Sequence, residues 1–457
     1  MSSTTDTIAA VATAPGRAGI GVVRISGPEV PNIARQLLGC LPKPRRAMLA
    51  HFHDAAGAVI DQGIALYFPG PASYTGEDVL ELQGHGGPVV IASICQAAKA
   101  AGARDARPGE FSERAFLNDK IDLTQAEAVS DLIDSGSEAA ARAAMQSLRG
   151  EFSKAVDQLL QALVLLRTHV EAAIDFPEEE IDFLDDAALN ERIEQVAQQF
   201  DTLMSRVEVG KRLAEGVTVV LVGEPNVGKS SLLNALLEEE TAIVTDVPGT
   251  TRDLVRADTV IRGVPVHLTD TAGLRDTTDI VEQEGIRRSR KAIEDAQHVL
   301  IVVDARTAQA DEAIASVLKT LQPHQSATAV FNKRDLVDRG EANAESCLDI
   351  DGRSITKLLV SAKERRGIGE LRALIGGALM GQNTGETPFT ARQRHIASLT
   401  EARARFDAGV DALRATRAGE LLAEELRLAQ QSLDAITGRF TSDDLLGEIF
   451  SSFCIGK

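Results

Sequence analysis

The sequence contains no tryptophan and only two tyrosines, and aromatic residues fill 4% of its 457 positions. Broad stacking platforms for single-stranded nucleic acid need aromatic faces along a groove, so that class of binder is not expected. Positive charge is also short. The chain carries 48 basic and 67 acidic side chains, a formal net charge of −19. That excludes a surface coated in basic residues for nucleic acid or anionic lipid, while leaving room for a local patch. Cysteines number four (Cys40, Cys95, Cys347 and Cys454). None is paired at metal-ligand spacing, and a chain this long needs no staples, which points to a reducing compartment. The polar start, Met1 to Thr7, has Asp6 as its one charged side chain and offers no secretory signal. The longest apolar runs, such as Val217–Val222 and Val299–Val303, are strand-length and too short to span a bilayer. The expectation is a soluble cytoplasmic protein with no membrane part.

What is present is an ordinary globular balance, 44% hydrophobic and 25% charged. At about 150 residues per domain, roughly three domains are expected. The charge is uneven. Residues 1–120 hold 11 basic and 11 acidic side chains, and residues 121–215 hold 8 and 20. Any RNA contact is expected in the first or last segment, away from the acidic middle.

The character of the chain changes three times. Residues 1–118 read as mixed α/β. Strand-like runs at Gly19–Ile25, Val59–Phe68 and Val79–Gln83 sit among Gly and Pro, with a helical stretch at Val89–Ala101. From 119 to 215 glycine becomes rare and apolar residues recur at helical spacing, as at Leu159, Leu163, Leu166, Val170 and Ile174. Phe176-Pro177 breaks this region. From 216 to 380 strands alternate with helices: Val217–Val222, Val264–Leu268, Val299–Val303, Thr328–Phe331 and Leu358–Val360. That alternation predicts a mostly parallel sheet. Gly381–Pro388 reads as a linker, and Ala391–Leu433 is helical again. The simplest architecture is one helical domain, 119–215 plus 381–457, split by an inserted α/β unit.

Gly223-Glu224-Pro225-Asn226-Val227-Gly228-Lys229-Ser230 fits G-x-x-x-x-G-K-[ST] between a strand and a helical run beginning at Ser231. This is the context of a Ras-like P-loop. Backbone N–H groups of the loop and the helix N-terminus attract phosphate. Lys229 would bridge β- and γ-phosphate oxygens, and Ser230 would ligate Mg²⁺. Asp270-Thr271-Ala272-Gly273 ends the next strand; its Asp would hold Mg²⁺ through water and Gly273 would meet the γ-phosphate. Asn332-Lys333-Arg334-Asp335 follows another strand. The Asp335 carboxylate accepts hydrogens from guanine N1 and N2, which adenine cannot supply, so the nucleotide is GTP. Ser361-Ala362-Lys363 would pack on the base. Four elements in this order leave no room for coincidence.

Between the P-loop and Asp270 lies Thr245-Asp246-Val247-Pro248-Gly249-Thr250-Thr251, a switch-like loop in which Thr251 is chosen as the γ-phosphate and Mg²⁺ sensor. Residue 274 is Leu, where many small GTPases place a water-orienting Gln. Hydrolysis therefore needs another residue. Arg275, Asp276, Glu282 and Glu284 are polar candidates, and Asn226 could help bind a monovalent cation.

With these residues in hand, the chain resembles the MnmE/TrmE family, GTPases of tRNA wobble-uridine modification. The resemblance covers essentially the whole length. It is carried by Thr13–Gly27 (TAPGRAGIGVVRISG), Tyr74–Gly87 (YTGEDVLELQGHGG), Arg107–Val129 (RPGEFSERAFLNDKIDLTQAEAV), Asp175–Leu184 (DFPEEEIDFL) and the terminal Phe453–Lys457 (FCIGK). It implies an N-terminal tetrahydrofolate-binding and dimerisation domain at 1–118. A split helical domain and an inserted GTPase domain complete the architecture. It implies a homodimer, and a heterotetramer with a flavin-dependent partner, MnmG. It also implies potassium-dependent pairing of GTPase domains. By position, Asn226, Thr245, Val247 and Thr250 are similar to the family's potassium ligands, Ser230 and Thr251 to its Mg²⁺ ligands, and Glu282 to the glutamate that positions water. Arg24, Glu81, Lys120 and Lys457 match its 5-formyl-tetrahydrofolate contacts. Cys454 matches a required cysteine with a nucleophilic or proton-transfer role. From the residue alone it reads as a buried or idle thiol, and its surroundings fit a prenylation box poorly. Gly16–Gly21 (GRAGIG) lacks G-x-G-x-x-G spacing, so no flavin is expected on this chain.

The resemblance implies an enzyme that uses a folate one-carbon unit to build an aminomethyl or carboxymethylaminomethyl group on C5 of wobble uridine in certain tRNAs. Two alternatives stand beside it. One is a regulatory or ribosome-assembly switch GTPase without carbon chemistry. The other is a scaffold whose GTPase controls only dimer geometry.

Overall fold

The computed structural model describes residues 6–175, 187–237, 256–270, 291–322, 325–337, 345–350, 352–380, 388–439, 443–453 and 456. These fall into two compact units, one of residues 1–130, 148–196 and 401–457, the other of 131–147 and 197–400.

The first unit is built on a six-stranded sheet. Its strands are β1 (Ile8–Val11), β2 (Ala18–Ser26), β3 (Met48–His53), β4 (Val59–Phe68), β5 (Val79–Gly86) and β6 (Arg104–Asp105). Their order is β3-β4-β5-β2-β1-β6, antiparallel throughout except for β1 beside β6. Alternation sorts the faces. Val23, Ile25, Leu80 and Leu82 are fully buried in one core with α1 (Val30–Leu38) and α2 (Pro88–Ala100). Arg24 and Glu81, the intervening residues, are directly opposed across β2 and β5. The strands expected at Gly19–Ile25, Val59–Phe68 and Val79–Gln83 are β2, β4 and β5. The reading missed β1, β3 and β6. β1 is only four residues long, β6 only two, and β3 (MLAHFH) has a single fully buried residue, Phe52.

Next come α3 (Glu110–Leu117), α4 (Leu123–Ile133), α5 (Glu138–Leu148), α6 (Glu151–Asp175) and α7 (Ala187–Glu215). Along α6, Phe152, Val156, Leu159, Leu163, Leu166 and Val170 form a buried row at three- and four-residue spacing. The Phe176-Pro177 break lies just past the end of α6, outside the described residues.

A charged network ties α3 to the N-terminal segment. Arg114, 1% exposed, donates to Asp6, Glu77 and Glu110 at 2.8–3.1 Å. Glu110 is fully buried. Burial pushes its pKa up, but hydrogen bonds from Arg104, the Arg107 N–H and Arg114 outweigh it and bring the carboxyl down to about 2. A depressed carboxylate stabilises the fold above its unfolded pKa and loses that contribution as pH falls through the folded value. Wild type should therefore lose about 3 kcal/mol between roughly pH 5 and pH 2 from this group alone. Glu110→Gln should be less stable at pH 7, and thermal melts should show the gap narrowing with acid. A gap independent of pH would refute the ion-pair account.

The second unit holds a seven-stranded sheet of β7 (Val217–Val222), β8 (Arg256–Ile261), β9 (Val264–Asp270), β10 (His298–Asp304), β11 (Ser326–Asn332), β12 (Glu345–Ile350) and β13 (Arg353–Leu359). The order is β12-β13-β11-β10-β7-β9-β8. The five central strands are parallel, and the edge strands β8 and β12 are antiparallel hairpin partners. All seven residues of β10 are buried, as a strand covered on both faces requires. α8 (Lys229–Leu237), α9 (Ala310–Leu318) and α10 (Ile368–Met380) supply the covering side chains. Leu232, Leu236, Leu371 and Ile375 lie in one core, and Ile314 and Leu318 in the other. The five expected strands are all present. The reading missed β8 and β12, because edge strands such as RADTVI and ESCLDI show no continuous apolar run.

The helical stretch read at 391–433 is two helices, α11 (Gln393–Thr416) and α12 (Gly419–Thr437), followed by α13 (Asp443–Ser451). In the first unit, α6 and α12 pack side by side. Phe450 and Phe453 join a core with Leu123 and Ala126. Gly456 then meets β1 so closely that a Cβ would stand 2.1 Å from the Val11 carbonyl oxygen. Only glycine lets the chain end pass there.

Candidate functional site

In the second unit, β7 lies between β9 and β10, the point where the strand order reverses. Ligands of open parallel sheets sit at the carboxyl ends of the strands at such a point. The described ones among the predicted nucleotide residues collect there. The P-loop runs from the end of β7 into α8, Asp270 ends β9, Asn332 ends β11, and Ser361 lies just past β13.

The loop is shaped by its neighbours. Gly228 has φ +97°, and a Cβ on it would stand 2.3 Å from Asn332 Nδ2. Asn226 is left-handed at φ +62°, a conformation Asn tolerates better than most residues. Lys229 is 5% exposed, and its ammonium donates to the carbonyls of Gly223 and Glu224 at 2.9 Å. That arrangement holds a cation over the mouth of the loop. Val227 is buried, while Ser231 is exposed on the first turn of α8.

Ser230 Oγ donates to Asp270 Oδ2 at 2.7 Å. A hydroxyl and a carboxylate side by side form the hard-oxygen set that Mg²⁺ takes in P-loop proteins. Among the described residues no cluster of three or more His, Cys, Asp or Glu could hold a metal.

The base-recognition elements are interlocked. Asn332, 2% exposed, donates from Nδ2 to the Val227 carbonyl at 2.9 Å and accepts the Ala362 N–H at 3.0 Å. One amide thus joins the P-loop, the N-K-x-D turn and the S-A-K turn. Asp335 Oδ1 accepts the Ser361 hydroxyl at 2.6 Å, and this bond holds the carboxyl below its usual range. Asp335 therefore stays ionised, an acceptor only, as guanine N1–H and N2–H require. Lys333, at φ +65°, donates to the Asn226 carbonyl at 2.6 Å. Arg334 lies on the same turn, and Lys363 is exposed beyond Ala362.

The sequence reading missed Asp304. It ends β10, is 9% exposed, and accepts Lys333 Nζ at 3.0 Å. Hydrogen bonds from Arg306 and the Lys333 ammonium hold its carboxyl well below the usual carboxylate range. The only sequence signal was an acid closing a long apolar strand.

The switch-like residues Thr245, Asp246, Val247, Pro248, Gly249, Thr250 and Thr251 lie outside the described residues. So do Thr271, Ala272, Gly273, Leu274, Arg275 and Glu282, and also Cys454 and Lys457. Of the candidate potassium ligands, Asn226 alone is described. It is exposed on the loop, and its oxygens are of the hard type an alkali cation takes.

The residues matched to folate contacts lie in the first unit. Arg24 and Glu81 form an ion pair, Nε to Oε1 at 3.0 Å, each partly exposed. The Arg24 guanidinium lies 5.7 Å from the Tyr74 ring and 5.8 Å from that of Phe111. Lys120 Nζ donates to the Pro71 carbonyl at 2.9 Å. Tyr74 and Pro71 belong to one loop between β4 and β5, so Arg24 and Lys120 flank the same loop.

A family model described as the GTP-binding protein TrmE N-terminus matches residues 7–120, and one described as the MnmE helical domain matches residues 123–454. The chain belongs to the MnmE family. It is 50% identical over 455 residues to the tRNA modification GTPase MnmE of Hydrogenovibrio crunogenus, covering 100% of this chain and 99% of that one. It is 52% identical over 454 residues to the protein of that name from Coxiella burnetii (strain Dugway 5J108-111), covering 99% of each. The protein of that name from Nitrosospira multiformis is 51% identical over 453 residues, again covering 99% of each. No described helix is long and apolar enough to cross a membrane.

Proposed function

We propose that this chain is a cytoplasmic GTPase that, with a flavin-dependent MnmG partner, places an aminomethyl or carboxymethylaminomethyl group on C5 of the wobble uridine of certain tRNAs. The observation that carries the reading is its end-to-end similarity to proteins named tRNA modification GTPase MnmE. The interlocked guanine site supports it. In this reading residues 1–118 bind the folate and dimerise. Residues 119–215 and 381–457 form the helical part, and residues 216–380 bind and hydrolyse GTP.

The chain's own residues divide the work. Asp335 selects guanine, Lys229 and the loop amides bind the phosphates, and Ser230 with Asp270 and Thr251 holds Mg²⁺. Asn226, Thr245, Val247 and Thr250 hold potassium, which when bound supplies the positive charge that an arginine finger supplies elsewhere, an effect worth roughly 10³–10⁵ in rate. Glu282 orients water. Arg24, Glu81, Lys120 and Lys457 orient the folate, whose one-carbon unit is the group transferred. Cys454 takes the nucleophilic or proton-transfer role.

The test is genetic and chemical. The gene is deleted, and bulk tRNA nucleosides are analysed by mass spectrometry with wild-type or Lys229→Ala protein added back. The 5-substituted wobble uridines should vanish on deletion and return with wild type alone. Their persistence without the gene, in a strain with no second copy, would leave a switch GTPase as the working reading. Cys454→Ala separates the scaffold reading: tRNA modification should be lost while GTP hydrolysis stays normal.

A further inference from the structure

Asp304 belongs to none of the four nucleotide motifs, yet it is among the most fully bonded carboxylates of the second unit. Oδ1 accepts the Arg306 backbone N–H and Nε, both at 3.0 Å. Oδ2 accepts Arg306 Nη2 at 2.7 Å and Lys333 Nζ at 3.0 Å. A carboxylate has about four acceptor sites, and these four bonds fill them. Arg306 is largely exposed and fixes the carboxylate from outside, while Lys333 approaches from the nucleotide side.

The same Lys333 ammonium donates to the Asn226 carbonyl. One cation therefore links the turn after β10, the base-recognition turn and the P-loop. A lysine stem is flexible and its ammonium strongly hydrated, so without a fixed anion it would not keep this place.

We propose that Asp304 is a positioning residue for guanine nucleotide binding: it holds Lys333 so that the base and phosphate ends of the pocket keep a fixed separation. It acts through Lys333 and touches no reacting atom. Its contribution falls on ground state and transition state alike, so affinity moves and the chemical step does not.

The test uses the full chain. Asp304→Asn keeps the shape and the bond to the Arg306 N–H but removes the charge. Loss of a charge-assisted bond should raise the Kd for GDP and the KM for GTP about tenfold, with kcat at saturating GTP within about twofold. Arg306→Gln leaves Lys333 its anion but holds it by the backbone N–H alone, so its Kd should fall between those of wild type and Asp304→Asn. In a Lys333→Met background Asp304→Asn should cost nothing further, because both changes remove one link. A wild-type Kd in Asp304→Asn would overturn the proposal. So would a full tenfold loss in Arg306→Gln, or an undiminished cost of Asp304→Asn in the Lys333→Met background. Thermal melts check folding, and Asp304→Ser takes the place of the amide variant if that one does not fold.

Discussion

Asp335→Asn should exchange guanine for xanthine. The carboxylate can only accept hydrogens, and guanine offers it two, from N1 and N2. An Asn amide presents one acceptor and one donor. Xanthine keeps N1–H but carries a carbonyl at C2, so it matches the amide and mismatches the carboxylate. With GTP one bond to a charged group is lost outright and the other becomes a weaker neutral bond. A bond to a charged group is worth about 1.5–3 kcal/mol, and a buried mismatch adds to the loss. GTP affinity should fall roughly 10²–10⁴-fold, and XTP should become the better substrate by a similar margin. Ser361 donates to Oδ1 in the wild type and can donate equally to an amide oxygen, so the side chain keeps its orientation. Hydrolysis assays with both nucleotides decide the matter. An Asn variant that still prefers GTP would mean that another group reads the base.

Much of this site was legible because each part of it is a local string. A strand, a glycine turn and a helix start announce the P-loop, and an acid two residues past Lys333 announces guanine. The parallel sheet was legible for the same reason: its central strands are buried on both faces and read as continuous apolar runs. Long-range pairing was not legible. Arg24 and Glu81 are 57 positions apart, and their direct opposition depends on the β2–β5 register. Asp304 looked like a strand end, and its meaning comes from Lys333, 29 positions later. The edge strands β8 and β12 are stabilised by one neighbour each and need little hydrophobic pattern to form. Arg114 belonged to a recognised stretch, but nothing in RPGEFSERAF says that its guanidinium is buried among Asp6, Glu77 and Glu110.

Glu282→Ala should separate binding from turnover. Residue 274, directly after the D-x-x-G element, is a leucine and cannot hydrogen-bond a water. A loosely held water attacks the γ-phosphate slowly, so another side chain must hold it, and Glu282 is the one assigned by position in the family. Removing it should leave the GTP Kd within about twofold, because Lys229, the loop amides and Asp335 all remain. Turnover should fall roughly 10²–10⁴-fold, the usual worth of a positioned acid–base group. Glu282→Gln retains a hydrogen-bonding oxygen and should lie between the two. Potassium gives the second axis. On the proposed potassium site, exchanging potassium for sodium should slow wild type, since the smaller ion cannot reach the same oxygens at its preferred distance. The residual rate of Glu282→Ala should still respond to potassium by the same factor, because holding water and neutralising phosphate charge are separate contributions. Unchanged turnover in Glu282→Ala would remove this residue from the mechanism. The search would then return to Arg275, Asp276 and Glu284.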